Sequence, residues 1–171
     1  MADLKDSSLL DLSALKDLDR ARVAIVKTEW NQRWIDKQTE GALHIAKTCQ
    51  ATVSQTLIVP GCVELPFGIR RLYEVTKNTV NHPEAIIAFG LVIRGGTPHF
   101  DYVCQTATEG ILQLNLTLPI PVIFGILTLD NEQQAAERLG GSHGHKGEEA
   151  MITALKMIQI NRILAQNAKQ P

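Results

Sequence analysis

The segment Ile86–Tyr102 has the residue types and spacing of a phosphate site with acid–base chemistry. An apolar run ends at Arg94-Gly95-Gly96, and Thr97-Pro98 then opens an amphipathic stretch. Thr is a favoured N-cap and Pro a favoured first helical residue, so the pattern predicts a strand, a glycine-rich turn and a helix start. Such a turn offers backbone N–H groups and the positive end of a helix dipole to an anion. His99, two residues into the predicted helix, carries a side chain that titrates near neutral pH, which indicates proton transfer on a phosphorylated substrate.

Both features also have a purely structural interpretation. Gly-Gly before Thr-Pro is common at ordinary strand-to-helix turns. A single histidine at a helix start is more often a surface residue than a catalyst. The residues that follow the other predicted strands therefore matter for choosing between the two interpretations.

Further side chains at predicted strand ends could contact a ligand. Trp30 could lie flat against a planar heteroaromatic ring, or it could be a partly buried core residue. Glu64 could accept hydrogen bonds from hydroxyl groups, or it could simply favour a helix start through the dipole. Arg138 near a helix end and Lys146 after a Gly/His-rich loop are cations that the dipole and solvation also explain. Taken together, these residues suit a ligand with a flat ring, a polyol and a phosphate.

The pattern of apolar residues predicts the sheet that would bring these side chains to one edge. Compact apolar runs indicate strands, and apolar residues at helical spacing indicate helices between them. The predicted strands are Arg22–Lys27, Thr52–Val59, Ala85–Ile93 and Pro121–Thr128. The predicted helices are Asn31–Cys49, Leu65–Val80, Pro98–Leu116, a short helix opened by a capping box at Asp130-Asn131-Glu132-Gln133 and ending near Gly140, and Glu148–Ala165.

This βαβαβαβαα order predicts one domain over residues 1–171. We expect a three-layer α/β/α sandwich with a four-stranded parallel sheet, of the flavodoxin-like kind. Ligands bind such sheets at the carboxyl ends of the strands. Residues 1–20 form an N-terminal arm with scattered leucines, for which a short helix, a frayed arm and a strand added to a neighbour all stay open.

Composition limits the classes of partner. The chain has 171 residues, a formal net charge of −1 and 44% hydrophobic residues, which gives no electrostatic footprint for nucleic acid or an anionic membrane. Three separated cysteines without a CxxC pair predict reduced, buried thiols in a cytoplasmic protein. No apolar run is long and uncharged enough to span a bilayer, and the charged N-terminus has no signal-peptide core. His143 and His145 lack a metal-ligand spacing, so we expect no metal. We also expect no cofactor.

Over residues 22–162 the chain resembles the lumazine synthase family. The motifs that carry this resemblance are Glu29-Trp30-Asn31, PGCVELP at 60–66, GLVIRGGTPHFDYVC at 90–104, PVIFGILT at 121–128, an Ala-Glu-Arg at 136–138 and HKGEEA at 145–150. Two positions depart from the family pattern. Cys62 stands where a small residue is more usual, and His145 stands where Asn is common.

The resemblance implies a role for each matching residue. His99 would be the general acid/base. The phosphate-binding residues would be Gly95, Gly96, Thr97 and Arg138. The substrate-binding residues would be Trp30, Asn31, Cys62, Val63, Glu64, Val92, Ile93, Phe124 and Lys146. Among these, Trp30 would stack on the pyrimidinedione ring, Val92 and Ile93 would contact it through the backbone, and Phe124, Arg138 and Lys146 would come from a neighbouring subunit.

The implied activity is a step of riboflavin biosynthesis that joins 5-amino-6-(D-ribitylamino)uracil to 3,4-dihydroxy-2-butanone 4-phosphate. The resemblance also implies self-association into pentamers, and the short GGSHGHKG link favours a sixty-subunit capsid over free pentamers. Three other functions stay open at this point: a flavin- or nucleotide-binding module, a shell-forming scaffold with little catalysis, and a riboflavin synthase of related fold.

Overall fold

A parallel sheet with the strand order β2-β1-β3-β4 forms the centre of the computed structural model, which describes residues 11–15 and 18–168. The strands are β1 (Arg22–Thr28), β2 (Thr52–Val59), β3 (Ala85–Ile93) and β4 (Val122–Leu129), each within one residue of the prediction. The helices are α1 (Gln32–Thr48), α2 (Leu65–Thr76), α3 (His99–Thr117), α4 (Glu132–Arg138) and α5 (Lys146–Asn167). The predicted α/β/α sandwich with a four-stranded parallel sheet is therefore confirmed.

Two apolar clusters hold the three layers together. Successive side chains of a strand point to opposite faces of the sheet. Ile25 and Ile87 accordingly pack into the cluster under α1 and α5, whereas Val26 and Ile86 pack into the cluster under α2 and α3. The first seven residues of β3 are buried, as expected for a central parallel strand that is covered on both faces.

A third, smaller cluster lies at the carboxyl edge of the sheet, where α4 packs over the ends of β3 and β4. Its buried members are Trp34, Ile35, Leu91, Leu129, Ala135 and Leu139. The capping interaction predicted for α4 is present, because Asn131 Oδ1 accepts from the Gln134 backbone N–H at 3.1 Å. Gln134 Oε1 in turn accepts from the Asp130 N–H at 2.9 Å. These two hydrogen bonds hold the turn after β4 against the first turn of α4.

The GGSHGHKG region, for which the prediction gave only a Gly/His-rich link, forms a β-hairpin. Strand β5 (Leu139–Gly141) pairs with β6 (Gly144–His145) in antiparallel fashion. Gly140 and Gly144 supply the positive φ angles, +102° and +74°, that this tight turn needs. Helix α5 then starts two residues earlier than predicted, where Gly147 packs so closely on the Gln38 backbone that a β-carbon would not fit.

The N-terminal arm lies largely outside the described residues. Within residues 11–15, Leu12–Ala14 form a 3-10 turn that Asp11 caps. Leu12 and Leu15 pack against the cluster under α1 and α5. In the described part of the chain, no helix is both long enough and apolar enough to cross a membrane.

Candidate active site

Trp30 stands at the carboxyl end of β1, in a turn that is tied to the end of β2. The Glu29 N–H donates to the Val59 carbonyl at 2.9 Å, and the Trp30 N–H donates to the Pro60 carbonyl at 3.3 Å. The residue is 72% exposed. Of the two interpretations of this tryptophan, a core residue is therefore wrong, and its indole is open to a flat ligand.

Gly61 lies between the indole of Trp30 and the carboxylate of Glu64. A β-carbon at Gly61 would be 3.1 Å from Glu64 Oε2 and 3.5 Å from Trp30 Cδ1. Glu64 precedes α2 but makes no side-chain capping hydrogen bond to it. Its carboxylate is thus not used by the helix and lies beside the exposed indole, where it can accept hydrogen bonds from hydroxyl groups.

Asn31 connects this turn to the end of β3. Its backbone is left-handed, with φ 61° and ψ 35°, a conformation that Asn tolerates better than most residues. Its Nδ2 donates to the Leu91 carbonyl at 2.9 Å. The amide donor is therefore partly committed to the fold, whereas Oδ1 stays available as an acceptor. Val92 and Ile93, predicted to contact the ring, follow Leu91 directly and are half-buried.

The 3-10 turn Cys62–Glu64 points its first two side chains in opposite directions. Val63 is 44% exposed, whereas Cys62 is buried against Gly90 of β3. Burial raises the pKa of the Cys62 thiol to about 12. The short turn therefore places the Cys62 thiol in the core.

The glycine-rich turn after β3 is open on its outer side. A β-carbon at Gly95 or Gly96 would meet nothing within 4 Å, and neither glycine has a positive φ. Packing within the chain thus gives no reason for the two glycines, whereas close approach of a ligand to the backbone would give one. Thr97 and His99 are exposed.

Helix α3 begins one residue later than predicted. Its N-cap is Pro98, which has no side-chain capping bond, and His99 is the first helical residue. The Asp101 N–H donates to the Pro98 carbonyl at 3.0 Å, which turns the chain into the helix without help from Thr97. The predicted Thr97 cap is wrong, and its hydroxyl is left at the exposed helix start beside His99.

Arg94 directly precedes the same turn. It was not among the predicted site residues. Its Nε donates to Asp130 Oδ1 at 3.2 Å and its Nη1 donates to Asp101 Oδ1 at 3.3 Å. Its guanidinium carbon lies 4.0 Å from the centre of the Phe100 ring. The hydrogen bond to Asp130 and the charge of Asp101 raise the pKa of Arg94 above its ordinary value. An arginine directly before Gly-Gly, with an aspartate seven residues later, was the available signal.

Phe124 and Lys146 lie elsewhere, along the free edge of β4. Phe124 is 45% exposed and pairs in register with Ala88, near the amino end of β4 and away from the carboxyl edge of the sheet. Lys146 opens α5, and its Nζ lies 2.8 and 2.7 Å from the two carboxylate oxygens of Glu149. We call the groove that these residues line the β4 groove; it has a volume of about 630 Å³.

Arg138 ends α4, and its polar contacts stay within that helix. Its Nη1 donates to the Gln134 carbonyl at 3.1 Å and lies 3.7 Å from Glu137 Oε2. Among the described residues, no hydrogen bond or ion pair joins Arg138 to the glycine-rich turn. The chain therefore groups Trp30, Asn31, Val63 and Glu64 around the ends of β1 and β2, whereas Phe124 and Lys146 face a different surface.

No group of three or more His, Cys, Asp or Glu side chains in residues 11–15 and 18–168 is placed to hold a metal ion.

The fold defines a flavodoxin-like α/β/α protein, a class whose ligands bind at the carboxyl ends of the parallel strands. Residues 20–162 match the sequence profile of 6,7-dimethyl-8-ribityllumazine synthase. The chain is 42% identical over 153 residues to the 6,7-dimethyl-8-ribityllumazine synthase of Parabacteroides distasonis, covering 88% of this chain and 92% of the relative. It is 37% identical over 145 residues to that of Bdellovibrio bacteriovorus, covering 85% and 78% of the two chains. The chain thus belongs to the 6,7-dimethyl-8-ribityllumazine synthase family.

Proposed function

We propose that this protein condenses 5-amino-6-(D-ribitylamino)uracil with 3,4-dihydroxy-2-butanone 4-phosphate to give 6,7-dimethyl-8-ribityllumazine, inorganic phosphate and water. The observation that carries the proposal is the pair of Trp30 and Glu64, which flank Gly61 at the carboxyl edge of the sheet. An exposed flat ring beside an uncommitted carboxylate suits a substrate that joins a pyrimidinedione to a polyol. The family membership favours this enzyme over a flavin-binding module or an inactive scaffold.

The pyrimidine substrate would bind between the ends of β1, β2 and β3. Its ring would stack on Trp30, with the backbone of Val92 and Ile93 at the ring edge. Its ribityl hydroxyl groups would donate to the Glu64 carboxylate and to Asn31 Oδ1, since both groups accept hydrogen bonds in this geometry. Val63, with its exposed side chain, would pack against the polyol chain.

The phosphate of the second substrate would bind at the glycine-rich turn. The open backbone of Gly95 and Gly96 allows an anion to approach its N–H groups, and the N-terminus of α3 adds the positive end of a 19-residue helix. The exposed Thr97 hydroxyl would complete the set of donors. The same donors would stabilise the phosphate as it leaves.

His99 would move the protons of the reaction. The substrate amine attacks the ketone and water is lost; phosphate is then eliminated, and ring closure loses a second water. Each of these steps transfers a proton, and none changes the net oxidation state of the reactants together. As the first residue of α3, His99 is exposed next to the phosphate turn, from which an imidazole can reach the reacting carbons.

A second copy of the chain would complete the site. Phe124 and Lys146 line the β4 groove, and the polar contacts of Arg138 stay within α4. All three residues would therefore contribute to the site of a neighbour, with the β4 groove meeting its carboxyl edge. Helix α5 has the apolar surface for such contacts, since Ile160, Ile163 and Leu164 are exposed while Leu155 and Ile158 are buried. Pentamers would satisfy this arrangement, and the short β5–β6 hairpin favours their assembly into a capsid in the cytoplasm.

Mixing the purified protein with both substrates tests the activity, with lumazine absorbance as the readout. The proposal expects lumazine to accumulate and inorganic phosphate to be released. Binding of the pyrimidine substrate without any product would instead support a binding module. Light scattering tests the assembly, because pentamers, pairs of pentamers and capsids have five, ten and sixty times the 18.8 kDa mass of one chain.

A further inference from the structure

We propose that Arg94 is a positioning residue, which holds the phosphate turn and the start of α3 in place and does not itself bind the phosphate. This inference rests on the proposed function, since it concerns how the turn between β3 and α3 is shaped. It assigns a role to a cation that lies next to the proposed phosphate site and that no proposed substrate contact explains.

The contacts of Arg94 span the turn. Its backbone N–H donates to the Leu129 carbonyl at 2.8 Å, which fixes the end of β3 against the end of β4. Its side chain reaches Asp101 in the first turn of α3 and Asp130 in the turn after β4, at 3.3 and 3.2 Å. Its guanidinium plane also covers Phe100 at 4.0 Å. One side chain therefore joins three segments that surround residues 95–99.

The turn itself has little else to hold it. No side chain packs where a β-carbon of Gly95 or Gly96 would be, and Pro98 caps α3 without a side-chain bond. The bridge from Arg94 to Asp101 closes the loop that contains both glycines, Thr97 and His99. Restricting a loop that must meet a ligand in one geometry lowers the entropy lost on binding.

The charge of Arg94 is already balanced. Two carboxylates accept from two of its nitrogens, and an aromatic ring covers its plane, so the guanidinium has local partners on several sides. A phosphate that bound Arg94 directly would compete with Asp101 and Asp130 for it. The two possible roles of Arg94 therefore predict opposite changes in phosphate affinity when one of these carboxylates is removed.

The first variants replace the two carboxylate partners of Arg94 and keep the arginine itself. If Arg94 bound phosphate directly, Asp101→Asn would free the guanidinium and remove a nearby negative charge, so phosphate would bind more tightly. If Arg94 positions the turn, Asp101→Asn loosens the turn and phosphate binds more weakly. Asp130→Asn breaks the second contact and should act in the same direction.

The measured quantities are the KM for the butanone phosphate and the inhibition constant of inorganic phosphate. We expect Asp101→Asn, Asp130→Asn and Arg94→Gln each to raise both constants by about three- to tenfold, the range for exposed ion pairs that act together. Arg94→Lys should behave like Arg94→Gln, because a lysine ammonium lacks the fork that reaches two carboxylates. The double variant Arg94→Gln/Asp101→Asn should raise the two constants no further than the more impaired of its two single variants does.

Arg70→Gln serves as the matched control, since Arg70 forms an exposed ion pair with Glu74 on α2, at 3.1 Å. It should leave both constants unchanged. The inference is overturned if Asp101→Asn lowers either constant or leaves both unaltered, or if Arg94→Lys equals the wild type. Circular dichroism of each variant separates a local effect from unfolding. Absence of lumazine formation by the wild-type protein would instead refute the proposed function.

Discussion

The side-chain amide of Asn31 donates to the main-chain carbonyl of Leu91 at 2.9 Å, across sixty positions of sequence. This bond joins the turn that carries Trp30 to the strand end that leads into Val92 and Ile93. The indole and this strand end are proposed to contact the same pyrimidine ring. In the proposed site, the Asn31–Leu91 bond would therefore set the distance between these two contacts with the ring.

Replacing Asn31 tests this spacing. Asn31→Asp removes the donor and places an acceptor against the Leu91 carbonyl, so we expect the KM for the pyrimidine substrate to rise about tenfold, the cost of one unmade hydrogen bond. Asn31→Gly keeps the left-handed backbone without strain but also loses the bond. Steady-state kinetics measures both variants. A wild-type KM in Asn31→Gly would contradict the role given to the bond.

Removing the imidazole of His99 tests the proton transfers. We expect His99→Ala to lower kcat by about 10²–10³, because general acid–base catalysis contributes that much, while the KM for the butanone phosphate changes little. His44→Ala on the exposed side of α1 is the matched control and should retain full turnover. Unchanged kcat in His99→Ala would remove the residue from the mechanism.

Removing the guanidinium of Arg138 tests the phosphate contact. Arg138→Ala should raise the KM for the butanone phosphate about tenfold, since a charge-assisted hydrogen bond contributes about that much, with a smaller effect on kcat. The fold should persist, because the side chain of Arg138 bonds only to its own helix among the described residues. Kinetics in which the butanone phosphate is varied, with the pyrimidine substrate held at saturation, gives this KM. The same KM as the wild type would refute phosphate binding by this arginine.

Glu84 makes the stability of the fold depend on pH in the acidic range. Burial on its own would raise the pKa of Glu84, but hydrogen bonds from Arg162 and from the Arg22 backbone outweigh it and hold the pKa below its ordinary value of 4.5. A carboxyl group with a lowered pKa stabilises the fold above the unfolded value, and that contribution is lost as the pH falls through the folded value. We therefore expect the melting temperature to fall as the pH drops below about 4.5.

Glu84→Gln is the variant that isolates this effect. It should be less stable than the wild type at neutral pH by about 1 kcal/mol, and the difference should shrink as the pH falls below 4.5, because the wild-type carboxyl then becomes neutral as well. Thermal unfolding at several pH values measures both quantities. A difference that stayed constant across the pH range would show that charge is not the cause.

The sheet could be predicted from the sequence because its signals are strong and local. Strand β3 is apolar at nearly every position, which is typical of a strand covered on both faces. The β5–β6 hairpin could not be predicted, because strands of three and two residues carry no alternation. The hairpin depends on distant packing, since the ring of His145 fills the space over Gly41 of α1.

The residue types of the candidate site could be predicted from the sequence, but the directions in which their side chains point could not. The position of Trp30 indicated either a core residue or a ligand contact, and only its 72% exposure separates the two. Cys62 and Val63 are neighbours with opposite burial, which depends on the phase of a 3-10 turn that no local pattern fixes. The contacts of Arg94 with Asp101 and Asp130 could not be predicted, because they depend on how the end of β3, the start of α3 and the turn after β4 come together in the fold.

Co-assembly of two impaired variants, assayed with the butanone phosphate well below its KM, tests most directly the claim that one copy's carboxyl edge and another copy's β4 groove form a single synthase site. His99→Ala damages the edge, and Arg138→Ala with Lys146→Ala damages the residues given to the neighbour. Co-expressed in equal amounts, the two variants should recover about a quarter of the wild-type lumazine-forming activity, because a random mixture joins an intact edge to an intact partner face at that frequency. Activity no greater than the sum of the two separate variants would contradict a shared site.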